Sequence, residues 1–131
     1  MKKVIFSSTK NSIINTYLYN TKDGSTQDVI FKTLVDKCVW SNMHTNEVYC
    51  AVPVEFPQAL YPDDWYRGKV SFVDQIWHLD TDTGEVHLLA NLLSLSNKLI
   101  DATDLSLDPK ENFLYFINKN DLSLWSLDLN Q

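Results

Sequence analysis

This 131-residue sequence holds few of the residues on which most catalytic and cofactor-binding folds depend. Three glycines in all leave no room for a Gly-rich phosphate loop, and no Gly-x-Ser-x-Gly elbow occurs. The two cysteines, Cys38 and Cys50, form no CxxC pair, and His44, His78 and His87 lack a tight ligand spacing, so no zinc site is expected. No Asp-rich loop supplies the ~6–8 oxygens that calcium takes. Neither a metal nor a cofactor is therefore expected. Lysine and arginine number 11 against 17 acidic residues, and a net charge of −6 excludes nucleic acid, whose phosphates need a basic surface. No run approaches the ~18–20 apolar residues of a membrane span. The opening Met1-Lys-Lys-Val-Ile-Phe6 begins like a secretory signal but stops short of its ~7–15-residue apolar core. Localisation stays open. A helical stripe is missing too; Leu89–Leu99 allows one short turn of helix at most.

What remains is strand. Hydrophobic residues make up 44% and aromatics 12%, which fits a globular β protein. One unit recurs: Tyr17-Leu-Tyr-Asn-Thr-Lys-Asp-Gly24, Trp77-His-Leu-Asp-Thr-Asp-Thr-Gly84 and Trp125-Ser-Leu-Asp128. Each is an aromatic, a spacer, an apolar or aromatic residue, then Asn or Asp. Alternating runs predict ten strands, at residues 4–8, 14–20, 28–33, 37–41, 47–52, 75–80, 85–90, 103–107, 112–118 and 122–129, parted by Asn, Asp, Gly and Pro turns. Regular recurrence of a strand-and-turn unit marks a β-propeller, built of four-stranded antiparallel meander blades.

With blade strands lettered a to d from the axis outward, residues 4–33 read as b-c-d. Residues 37–90 read as a complete blade and 103–129 as a-b-c. That is an all-β fold of about two and a half blades, against ~4–8 in a closed propeller. The expectation is one domain, 1–131, forming part of a longer propeller. Its partners would be the remaining blades, or a second copy meeting it through open strand edges. A ten-stranded sandwich or open barrel is the competing architecture.

Three phrases are more specific: Lys37-Cys-Val-Trp-Ser41 with Val48-Tyr-Cys-Ala-Val-Pro53, Tyr61-Pro-Asp-Asp-Trp-Tyr-Arg-Gly68 with Ser71-Phe72, and Ile100-Asp-Ala102 with Phe116-Ile-Asn-Lys-Asn-Asp-Leu-Ser-Leu-Trp-Ser126. Over residues 34–129 they resemble TolB-like, Trp-Asp-repeat-like propellers of candidate-phylum bacteria such as Parcubacteria. The resemblance implies an exported or membrane-anchored module of unknown function. More distantly, the blades are similar to propellers that accompany prolyl oligopeptidases. An accessory or catalytic propeller of a peptidase or glycosidase is the alternative to a non-catalytic binding or scaffold module.

Two features invite a functional reading. Pairing Ser41 with Glu47 sets Cys38 opposite Cys50, within reach of a disulfide after modest adjustment; two buried thiols packing as small apolar residues are the other option. Second, Tyr49 to Trp77 spans 28 positions where the equivalent Tyr115 to Trp125 spans 10. Residues 53–72 are thus an insertion between strands b and c. In a meander the b–c and d–a loops share one end, which would gather Asp63, Asp64, Trp65, Tyr66, Arg67 and Asp101 at the channel mouth. Carboxylates beside exposed aromatics there suit a protein or small ligand. The plainer reading has Asp63 and Asp64 capping a turn and Trp65 with Tyr66 pinning the loop. His78 and His87 are expected to face each other across a hairpin, more in keeping with a solvent-facing pair than a metal site. Trp40, Trp77 and Trp125 are expected to pack between blades.

Overall fold

The computed structural model describes residues 3–130. Its ten strands form three antiparallel sheets, each a meander in chain order. The first holds β1 (Lys3–Lys10), β2 (Ile13–Asn20) and β3 (Thr26–Asp28). The second holds β4 (Cys38–Trp40), β5 (Glu47–Pro53), β6 (Asp74–Asp80) and β7 (Val86–Asn91). The third holds β8 (Ala102–Leu107), β9 (Phe113–Asn118) and β10 (Leu124–Asp128). The fold is a partial β-propeller of three, four and three strands.

The recurring unit is a strand ending in a side-chain-capped turn. Asn20, Asp80 and Asp128 each accept, through Oδ1, the backbone N–H two residues on, from Lys22, Asp82 and Asn130 at 2.9, 2.9 and 2.8 Å. That is the Asx turn, in which a short side chain stands in for a backbone acceptor. Gly84, at φ 79°, then carries the chain through a left-handed step into β7.

Period-two alternation sorts side chains between the sheets. On β2, Thr16 and Leu18 turn toward the second sheet while Tyr17 and Tyr19 turn away. On β5, Val48, Cys50 and Val52 face the first sheet and Ala51 faces the third. One core cluster, with Ile5, Leu18, Val29, Phe31 and Leu79, fills the first junction. Another, with Ile76, Ala90, Ile100, Leu114, Phe116 and Leu127, fills the second. Trp77 packs against the first cluster, its ring 6.2 Å from that of Phe31, and Trp125 packs against the second. Cys38 lies opposite Cys50 across β4 and β5, and their sulfurs are bonded.

Several elements depart from the sequence reading. The strand expected at 28–33 is a three-residue ladder, Thr26–Asp28. After one further bond from Val29 N–H to Thr16 O, the chain dives inward. That path buries Phe31 and Leu34, while Ile30 is left exposed. Burial of two large side chains outweighs a few more ladder bonds, each worth only about 0.5–1.5 kcal/mol net. Lys37 ends a 3-10 turn (Val35–Lys37) instead of opening β4. A short helix α1 (Asp63–Tyr66) appears inside the insertion. The turn of helix allowed near residue 95 is α2 (Leu92–Ser96). Asn91 caps it by accepting from Ser94 N–H, and Asn97, at φ 60°, ends it. Among the described residues, no helix is long and apolar enough to cross a membrane.

Candidate functional site

The insertion folds down over the junctions between the sheets. Tyr61, Trp65 and Phe72 pack with Ile14 of β2 and with Leu34 in one apolar cluster. Trp65 and Phe72 stack at 6.0 Å. Gly68, at φ 76°, ends α1, and Lys69 N–H closes the turn on Asp64 O at 2.8 Å. Lys119, from the turn after β9, donates to Trp65 O at 2.7 Å and lies 5.0 Å from its ring. On the other side, the Tyr66 hydroxyl meets both carboxylate oxygens of Asp36 at 3.0 Å. Burial, and after it the Asp36 carboxylate, hold the Tyr66 phenol above its usual range, so it remains the donor.

Beneath Trp65 lies a fully buried charge cluster. Lys37 Nζ reaches Asp101 Oδ1 at 2.5 Å, Asp74 Oδ2 at 2.7 Å and Ala102 O at 2.7 Å, using all three of its donors. The Trp65 and Phe72 rings flank the ammonium at 5.1 and 5.4 Å. Asp101 Oδ2 accepts from Trp65 Nε1–H at 2.9 Å and from Phe72 N–H at 3.1 Å. Asp74 Oδ2 also accepts from Ala102 N–H at 2.7 Å, whereas its Oδ1 has no partner. Burial pushes the Asp74 carboxyl up to about 6 despite the pull of Lys37. A raised carboxyl beside a second carboxylate can mark an acid–base site. Here every side chain of the trio has zero exposure, and the rings of the insertion roof it. The cluster is a fastener between blades and insertion.

The proposed site residues therefore divide. Trp65 and Asp101 are buried and bonded to each other. Asp64 accepts from Leu60 N–H at 3.0 Å and braces the loop. Asp63, Tyr66 and Arg67 stand exposed on the outer side of α1. Of the two readings of Trp65, the structure matches the one in which it pins the loop: its indole N–H needs an acceptor, and Asp101 supplies one inside. His78 and His87 do face each other, at 6.1 Å, but His78 Nε2 takes Glu47 Oε1 as its partner. No group of three metal-ligating side chains occurs among the described residues. A shallow cavity of about 530 Å³ lies beside the insertion, lined by Ser71, Lys98, Leu99, Asn118, Asn120 and Asp121.

Lys37 and Asp74 escaped the sequence reading. Their partners lie 37 and 64 positions apart in the chain, beyond any local pattern. One clue was present: Lys37 and Asp101 each immediately precede the first strand of a blade, a lysine where the next repeat has an aspartate.

This architecture is that of a TolB-like β-propeller fold, present in part. No family model matches the sequence, and neither does any curated protein. Among solved structures, the crystal structure of TolB from Acinetobacter baumannii is similar over 97% of this chain, with a TM-score of 0.59 and 15% identity. The chain spans 27% of that chain's length. At that identity the likeness shows the fold alone.

Proposed function

We propose that this chain is a non-catalytic propeller module that binds a protein or peptide through the face carrying the insertion. The observation that carries the reading is the division within one loop. Trp65 and Phe72 are locked onto the blades, while Asp63, Tyr66 and Arg67 stand exposed on the outer side of α1. Rigid presentation of an aromatic and an arginine lowers the ordering cost of recognition, and those residue types dominate binding hot spots. The resemblance to exported propellers of candidate-phylum bacteria supports a scaffold or binding role in an exported or anchored parent. Trp65 and Asp101 belong to this site as anchors.

Selection from a random-peptide phage library against the immobilised protein tests the proposal. Enriched peptides should lose at least tenfold in affinity to a Tyr66→Ala/Arg67→Ala variant and none to Met43→Ala, an exposed change in the β4–β5 turn. Equal binding by all three proteins overturns the reading. Turnover of peptide or glycoside substrates that is lost in Asp63→Asn would favour the hydrolase alternative instead.

A further inference from the structure

The buried trio of Lys37, Asp74 and Asp101 is built as a reaction centre as well as a fastener. An ammonium carboxylate and an amide differ by one molecule of water, so a lysine and an aspartate can condense without any outside reagent. Solvent ordinarily holds the ion pair; burial penalises the charged forms and favours neutral ones. Here Lys37 and Asp101 have no exposure, and Nζ stands 2.5 Å from Asp101 Oδ1. Fixing two reactants in contact removes much of the entropic barrier. Two donors, Trp65 Nε1–H at 2.9 Å and Phe72 N–H at 3.1 Å, converge on Asp101 Oδ2, where they can hold an oxyanion. Asp74 Oδ2 lies 2.7 Å from the same Nζ, and its Oδ1 is buried without a partner. A carboxyl raised to about 6 by burial takes up and gives back a proton readily near neutrality.

We propose that Lys37 and Asp101 join in an intramolecular isopeptide bond, with Asp74 as the proton carrier. Asp74 takes one proton from the Lys37 ammonium and passes it to Asp101 Oδ1, leaving an amine beside a neutral carboxyl. Nζ attacks Asp101 Cγ, and the electron pair displaced from the carbonyl rests on Oδ2 between the Trp65 and Phe72 donors. Asp74 then moves a second proton from Nζ to Oδ1. The Cγ–Oδ1 bond breaks, Oδ1 leaves as water with both protons, and the pair on Oδ2 restores the carbonyl. The third Nζ hydrogen stays as the amide N–H and keeps Ala102 O, at 2.7 Å in the ion cluster, as its acceptor. No electron is gained or lost, and Asp74 ends as it began. The ion cluster is the precursor state. The bond ties the residue before β4 to the residue before β8, 64 positions on. The inference is independent of the binding role proposed above.

Intact mass spectrometry of the 131-residue protein, with Cys38–Cys50 reduced, should show a mass lower by one water than the sequence requires. Trypsin does not cut after an acylated lysine. A digest should therefore lose cleavage at Lys37 and yield a branched peptide joining residues 33–67 to residues 99–110. Asp74→Asn keeps the side-chain shape but cannot carry the proton. Shown to be folded by circular dichroism, it should keep the full mass and regain cleavage after Lys37. The wild-type digest decides the bond by itself if that variant does not fold. A wild type still at full mass after incubation at neutral pH overturns the proposal. So does a missing water that maps to the Asp23-Gly24 turn, where a succinimide can form, or to Lys37 joined with Asp74. An Asp74→Asn variant that carries the Lys37–Asp101 bond overturns the role given to Asp74.

Discussion

The first and second junctions solve one packing problem with different chemistry. Between the first and second sheets the buried polar groups are neutral, the one charged contact among the described residues, Lys3 with Asp82 at 3.3 Å, lying at the surface. Thr16 Oγ1 donates to Thr33 O and accepts from Thr33 N–H, both at 2.9 Å, and Thr33 Oγ1 donates to Ala51 O at 2.6 Å. A covalent link, Cys38–Cys50, lies on that side of the second sheet. Between the second and third sheets the polar groups are charged, one lysine against two carboxylates without solvent access. At the opposite end of this junction Glu111 grips the β4–β5 turn, accepting from Ser41 Oγ at 2.7 Å and from Asn42 and Met43 N–H at 2.7 and 3.0 Å. Neutral relays cost little to bury and release little when one member is cut. A buried ion cluster tolerates loss of its lysine badly, because the carboxylates left behind cannot reach water.

The comparison breaks most sharply at Lys37. Lys37→Met should cost about 3–5 kcal/mol in urea unfolding, and adding Asp74→Asn with Asp101→Asn should recover much of that loss. A cost below 1 kcal/mol would show that the cluster is not the fastener described.

Asp74 supplies a pH test whose sign is fixed. Its carboxyl titrates at about 6 when folded against 3.8 for the free group. Between those values the folded chain keeps a proton that the unfolded chain has released. Stability from this group is therefore full below pH 4 and declines as pH rises through 6, by roughly 3 kcal/mol. Asp74→Asn removes the decline, so variant minus wild-type stability should grow by that amount from pH 4 to 7. A parallel pair of pH profiles would refute the assignment.

At the first junction, reducing the Cys38–Cys50 bond, which closes a 12-residue separation, should lower stability by about 3 kcal/mol by loop-closure reasoning. Denaturation with and without reductant measures it. Thr16→Val leaves Thr33 N–H without its acceptor and should cost about 1–3 kcal/mol. Tyr66→Phe, at the exposed Asp36 pair, should stay within about 0.5 kcal/mol and serves as the control.

Local chemistry was legible in the sequence, and long-range chemistry was not. The aromatic-x-apolar-Asn/Asp unit announced its strand and turn because the Asx bond spans two residues. The opposition of Cys38 and Cys50 followed from one hairpin and its turn. The insertion stood out as an abnormal interval. A loop-pinning Trp65 was one of two readings, but its acceptor Asp101 was not legible, because it lies 36 positions away. Phe31 departs from the strand reading for a related reason: an apolar run reads as strand whether it pairs or plunges. Lys37 looked like an ordinary strand-start lysine, and only Asp74 from its own blade and Asp101 from the next make it a core residue.

In repeat architectures each unit touches only its neighbours, so such molecules can unravel from one end. The insertion adds a bond of another order. Through Ile14 and the Tyr66–Asp36 pair it holds the first sheet and its exit, and through Asp101 and Lys119 it holds the third. A second-neighbour coupling of this kind ties the outermost units together across the middle one. Unfolding should then be a single cooperative event, and excising any one blade would loosen the two that remain.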